Sequence, residues 1–340
     1  MTYHSICYII RITDALSTLL IEEDFMVSIF TILALCFSFL ACFAFPIVLC
    51  ILFMRKTKPG IVPLLLGIAV FIIFVLVLEQ GMHFALLVAI PGTKALFENN
   101  VWLYATYGAF AAGIFEECGR WLVFSLFMKK KREWKHGITY GIGHGGIEAV
   151  LLASLAVLNN LIYAIMINTG SFDTVMNSVP QATADILRQT RDALLSEASW
   201  LFTLTGVERI CAITFQIALS VLVLYAVSRK KYQFVGLAIL LHAAIDFPAV
   251  LYQKGILPLW SVEVYCVVLA IPALIFILKS KKLFPVTPEG PKGPEAPKGP
   301  AAPEGPEALE TKAAKEEPEV PAAPVVPAIL ETPGSNITQV

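Results

Sequence analysis

Apolar runs of about 20 or more residues recur along this chain, covering roughly 26–54, 60–91, 101–128, 137–167, 200–227, 233–252 and 256–278. Runs of that length cross a bilayer. In hydrocarbon every backbone N–H and C=O must find a partner inside the protein, which leaves helices or closed barrels. Strand-type alternation is absent, which disfavours a barrel. The chain therefore reads as an all-α integral membrane protein with about seven transmembrane helices. Its composition, 57% hydrophobic and 15% charged, excludes an ordinary soluble domain. Nothing in it calls for a nucleic acid; the partners it predicts are the lipid bilayer and a membrane protein or peptide substrate.

Basic residues follow alternate spans. Arg55, Lys56 and Lys58 follow the first, and Lys129 to Arg132 with Lys135 follow the third. Arg229 to Lys231 follow the fifth, and Lys279, Lys281 and Lys282 the seventh. The positive-inside rule then places the N-terminus outside and these four loops in the cytoplasm of a multi-pass cell-membrane protein. Residues 1–25 form an N-terminal extension, an upstream mis-start or a short interfacial segment. Residues 26–283 form the membrane domain. Residues 284–340 are rich in Pro, Ala, Glu and Lys and lack aromatics from Pro285 on, which predicts a disordered cytoplasmic tail. In the outer loop 168–199, Ile186, Leu187, Leu194 and Leu195 recur at helical spacing and predict an amphipathic surface helix. Six of the seven cysteines lie in apolar spans without a CxxC spacing and read as small core residues.

The third span holds Glu116, Glu117 and Arg120. A charge at mid-bilayer costs about 2.5–3.5 kcal/mol on insertion scales, so three within five residues demand a reason. At spacings of four and three, Arg120 reaches both carboxylates. With a rise of about 1.5 Å per residue, Glu116 lies roughly 18 Å from the inner end of its span, His144 about 10 Å and Glu148 about 16 Å into the fourth, and His242 about 14 Å and Asp246 about 20 Å into the sixth. These side chains share one layer. Tyr140, His144 and Glu148 occupy one face of the fourth span, and His242 and Asp246 one face of the sixth. Gly141, Gly143, Gly145 and Gly146 surround His144, which predicts close approach of another backbone or a substrate. Glu208, Arg209 and Gln216 lie on the fifth span. Glu208 and Arg209, being adjacent, are expected to point to different sides. Glu79 and His83 lie further out on the second span, where a structural role is expected.

The segments FEECGRWL (115–122), YGIGHGGIEA (140–149), GVERICAITFQIALSVLVL (206–224) and LHAAID (241–246) resemble the YhfC family of intramembrane metalloproteases. The wider clan, which includes the CAAX prenyl endopeptidases and bacteriocin-processing proteases, is similar in its patterns EExxxR, [FY]xxxH and Hxxx[ND]. Here these fall on Glu116-Glu117-x-x-Arg120, Tyr140-x-x-x-His144 and His242-x-x-x-Asp246. Asp246 stands where the prenyl proteases carry Asn, and Gln216 where some relatives are expected to carry His. The resemblance covers roughly 26–280 and implies peptide-bond hydrolysis within the membrane. Two mechanisms stand open. In one, His144 and His242 with Glu116 hold Zn, with Glu148 or Asp246 orienting a histidine. In the other, Glu116 activates water without metal, His242 and Asp246 stabilise the oxyanion, and Glu117 and Arg120 orient the cluster. His144 shares the water or binds the metal, and Glu208 is a supporting residue. Two other functions compete: a non-catalytic scaffold like the seven-span subunit of gamma-secretase, and an ion-coupled transporter.

Overall fold

A computed structural model describes residues 26–90 and 92–284. The expectations for residues 1–25 and for the tail from 285 onward lie outside the described residues. Ten helices follow in order: α1 (Ile29–Thr57), α2 (Val62–Ala89), α3 (Thr93–Glu98), α4 (Val101–Leu126), α5 (Trp134–Asn168), α6 (Phe172–Met176), α7 (Gln181–Ser196), α8 (Leu201–Arg229), α9 (Gln233–Gln253) and α10 (Leu259–Ser280). No strand occurs among the described residues. Six of these helices, α1, α2, α5, α8, α9 and α10, are long and apolar enough to cross a membrane. Helix α4 is 26 residues long but carries Glu116, Glu117 and Arg120, all buried.

Helix starts and stops follow local chemistry. Ser28 and Asn100 cap α1 and α4 by accepting from the Thr31 and Leu103 amides. Pro63 enters α2 within its first turn, where a missing N–H is harmless. Lys58 and Lys230 end α1 and α8 in the left-handed region. Wide π turns interrupt three helices, at Leu40–Ala44, Phe71–Glu79, Ala85–Ala89 and Ala149–Ser154. Two of them border the polar layer: one begins at Phe71, whose ring edges onto His144, and another directly follows Glu148.

Helix α8 is the central post. Residues from Gly206 to Val227 are buried along it, and α5, α10, α1, α9 and α4 pack around it. The glycines around His144 serve this packing. A Cβ at Gly143 would clash with the Leu64 carbonyl on α2. One at Gly141 would stand 2.5 Å from Ile217 Cα and one at Gly145 2.9 Å from Gln216 Cβ, both on α8. Helix α5 is thus held between two neighbours at backbone distance, the packing that small residues permit in a membrane. Gly143→Ala is expected to cost on the order of 1–3 kcal/mol through overpacking against backbone that cannot yield. The check is thermal unfolding in detergent, where an unshifted midpoint would refute the close packing.

The loop segment 168–199 contains the expected helix. α7 covers Gln181–Ser196 and buries Ala184, Leu187 and Leu194, while Ile186 stays exposed. Leu194 and partly buried Leu195 join a core cluster with Val27, Leu35, Val157 and Ala164, so part of this amphipathic face packs on α1 and α5. Cys36, Cys42, Cys50, Cys118, Cys211 and Cys266 are free thiols.

Candidate active site

The motif residues meet at one place. Helix α4 carries Glu116, Glu117 and Arg120, with accessibilities of 5%, 0% and 0%. Arg120 sits three and four residues beyond the carboxylates and pairs with both, donating from Nη1 to Glu117 and from Nη2 to Glu116 Oε2 at 3.1 Å. One guanidinium serves both carboxylates and offsets one of their two charges. Helix α5 brings His144, wholly buried, with Nε2 donating to Glu116 Oε2 at 2.8 Å. The His144 ring is fixed by the Phe71 edge at 5.5 Å and by Tyr140 stacked at 6.2 Å between centroids.

Helix α9 brings His242, whose Nδ1 lies 2.7 Å from Glu117 Oε1. Its Nε2 is 3.3 Å from Asp246 Oδ2 and 3.7 Å from Glu116 Oε1. The last distance is beyond a hydrogen bond. Gly113, one turn before Glu116, lets α9 come close, since a Cβ there would stand 2.9 Å from the Ile239 carbonyl.

Gln216 of α8 closes the cluster. Its Oε1 accepts from Arg120, and its Nε2 donates to Glu116 Oε2 at 3.1 Å and to Glu148 Oε2 at 2.8 Å. Glu148 Oε1 accepts from Arg209 Nη1 at 3.0 Å, and Arg209 also pairs with Glu208. The expectation that Glu208 and Arg209 diverge is therefore corrected: their long side chains fold back on each other, and both line the same space. That space is a cavity of about 110 Å³ walled by Glu116, Glu148, Arg209, Gln216, His242 and Asp246, among others. His144, Glu117 and Arg120 stand behind its wall.

The geometry divides the Glu116 carboxylate. Oε2 is gripped by three donors, Arg120, His144 and Gln216, while Oε1 faces His242. Glu79 and His83 take no part. His83 bridges Glu79 Oε1 at 3.3 Å and the Tyr107 hydroxyl at 2.5 Å, tying α2 to α4. Gln216 and Arg209 are the two participants that motif reading passed over as contributors. Their signal was present: Arg209, Ala212, Gln216 and Leu219 follow one helical face and all reach the cavity.

With this geometry in place, the comparisons with known proteins acquire meaning. The family model described as YhfC intramembrane metalloprotease matches residues 41–267, which include every residue named in this cluster. The chain belongs to the YhfC family. A relative in the family, the "Uncharacterized membrane protein YhfC" of Bacillus subtilis (strain 168), is 39% identical over 262 residues, which cover 76% of this chain and 100% of the relative. No solved structure matches. With that relative and six candidate spans, the chain is a membrane protein.

The family's description implies a metal. His144, His242 and Glu116 are suitable ligand types for zinc. Among the described residues, however, no three His, Cys, Asp or Glu side chains stand together as a group able to hold a metal ion. Glu116 Oε2 is already shared by three donors, and the Arg120 guanidinium at that oxygen repels a second cation. The side chains as arranged do not fit a metal.

Proposed function

We propose that this protein is an intramembrane endopeptidase in which Glu116 activates water against a peptide bond. α4 joins the six apolar helices as the third of seven transmembrane helices, and the chain runs with its N-terminus outside and its tail in the cytoplasm, in the architecture of the CAAX protease clan. The observation that carries the reading is the divided carboxylate. One oxygen of Glu116 is locked by three donors and the other faces a polar cavity beside His242.

The steps follow from the side chains. A water in the cavity is held at Glu116 Oε1 and gives up its proton as it attacks the peptide carbonyl. The oxygen of that carbonyl becomes an oxyanion. His242 has a carboxylate at each ring nitrogen, Glu117 at Nδ1 and Asp246 at Nε2. As an imidazolium it keeps Nδ1–H on Glu117 and turns Nε2–H from Asp246 to the oxyanion, with Asp246 protonated so that it does not repel that charge. Glu116 then returns the proton to the departing amine. His144, behind the wall, fixes the orientation and basicity of Glu116 and is a positioning residue. Glu117 and Arg120 do the same for His242 and Glu116. Glu148, Glu208 and Arg209 keep the cavity polar and wet inside an apolar bundle.

The test is cleavage of a single-span membrane substrate by purified protein in liposomes. His242→Ala is expected to abolish it, and full activity in that variant ends the proposal. Exhaustive chelation is expected to leave cleavage intact. Stoichiometric zinc in the purified protein, with activity lost on its removal, would replace this route by a metal-dependent one.

A further inference from the structure

Building on the protease reading, we propose that a membrane-embedded peptide segment enters the cavity sideways, between α9 and α10, through a seam latched by Tyr265. The cavity lies where α8, α9 and α10 meet, with Ile245 and Ala249 of α9 and Val262 and Cys266 of α10 in its walls. Ile245 and Ala249 of α9 also share a core cluster with Leu269 and Ala270 of α10. The N-terminal half of α9 packs through Ala238 into a core with Leu219, Val223 and Phe124. The C-terminal half of α10 packs through Ile277 into a different core with Ile138, Ala218 and Val221. The pair is joined by the turn 254–258, and the cavity sits towards that joined end. Leu240 and Leu241 on one helix and Ile271, Leu274 and Leu278 on the other are exposed apolar side chains.

The seam carries a backbone acceptor. Pro248 lies inside α9 and has no N–H, so the Ala244 carbonyl four residues earlier lacks its helical partner. Tyr265 of α10 supplies the missing donor, with Oη 2.9 Å from the Ala244 oxygen. A second groove, walled by Thr106, Phe110, Ala243, Phe247, Pro248 and Tyr265, runs along the outer side of this bond. Releasing Tyr265 removes the polar contact between α10 and α9 and leaves a carbonyl ready to accept from a peptide N–H. A substrate helix must lose its own N–H bonds before its scissile bond is presented, so an unwound segment is the ligand whose chemistry matches this acceptor.

Cys266 in the cavity wall reports on the seam without any need for cleavage. In protein with the other six cysteines replaced, reconstituted in liposomes, alkylation of Cys266 by the lipid-soluble N-cyclohexylmaleimide is compared with reaction by a charged, water-soluble methanethiosulfonate. Tyr265→Phe removes one hydrogen bond and is expected to raise the lipid-soluble rate about fivefold, leaving the charged reagent unaffected. A leucine-alanine transmembrane peptide with a central Gly-Gly is expected to slow the lipid-soluble reaction several-fold in protein retaining Tyr265. That arm decides the matter by itself should Tyr265→Phe fail to fold. Equal lipid-soluble rates with and without the Tyr265 hydroxyl, acceleration confined to the charged reagent, or no protection by the peptide each overturn the entrance. None of these outcomes touches the protease reading, which stands or falls on Glu116 and His242.

Discussion

Glu116→Gln is expected to lower the proposed membrane-substrate cleavage on the order of a thousandfold, the range lost when a general base is removed. The substitution keeps the shape of the side chain. Its amide oxygen can still accept from His144 and Arg120, and Arg120 keeps Glu117 and Gln216 as partners. The fold therefore survives, and only the oxygen that faces His242 loses its basicity. Steady-state cleavage and a thermal midpoint in the same detergent separate the two effects. Glu117→Gln is the control. It lies behind the wall, so it acts through His242 and Arg120, and its loss of activity is smaller with a larger shift in midpoint. Unchanged turnover in Glu116→Gln would remove the general base from the proposal.

Arg120→Leu is the most destabilising single change expected in this chain, at about 3–5 kcal/mol. Arg120 is wholly buried, and two carboxylates and one amide oxygen depend on it. Removing it leaves Glu116 and Glu117 facing each other in the apolar interior with only His144, His242 and Gln216 as donors. Arg120→Lys restores the charge but not the planar fork that meets Glu116, Glu117 and Gln216 together, so part of the loss remains. Unfolding in mixed micelles or resistance to proteolysis gives the measure. A leucine variant as resistant as the parent would mean that the cluster carries little net stabilisation.

Much of this architecture is legible in the residues because membrane helices announce themselves. The expected limits 233–252 and 200–227 lie within one or two residues of Gln233–Gln253 and Leu201–Arg229. The polar layer is legible for the same reason: charged groups in apolar helices have to meet partners, and rise per residue tells which can. The pairing of Arg120 with both carboxylates follows from spacings of three and four. What spacing could not tell is which groups face the cavity. His144 and Glu116 belong to the same layer, yet only Glu116 reaches the open space, because Phe71 and Tyr140 enclose the imidazole. The glycines around His144 signalled close approach without naming the neighbour. Leu64 and Ile217 are distant in sequence and have no pattern linking them to Gly143 and Gly141. Gln216 looked like a departure from a histidine, whereas its two-ended amide serves Arg120, Glu116 and Glu148 together, a task that needs both an acceptor and two donors.

The threefold hold on one oxygen of Glu116 has a consequence for selectivity. In the proposed mechanism, a base clamped in its working pose has no loose state from which the right partner could recruit it. Discrimination by assembling the catalytic groups around a favoured side chain is closed to such a centre. What remains is the ease with which a candidate chain comes undone inside lipid. Turnover across a panel of single-span proteins should therefore track helix-breaking residues near mid-depth, whatever the side chains flanking the severed bond.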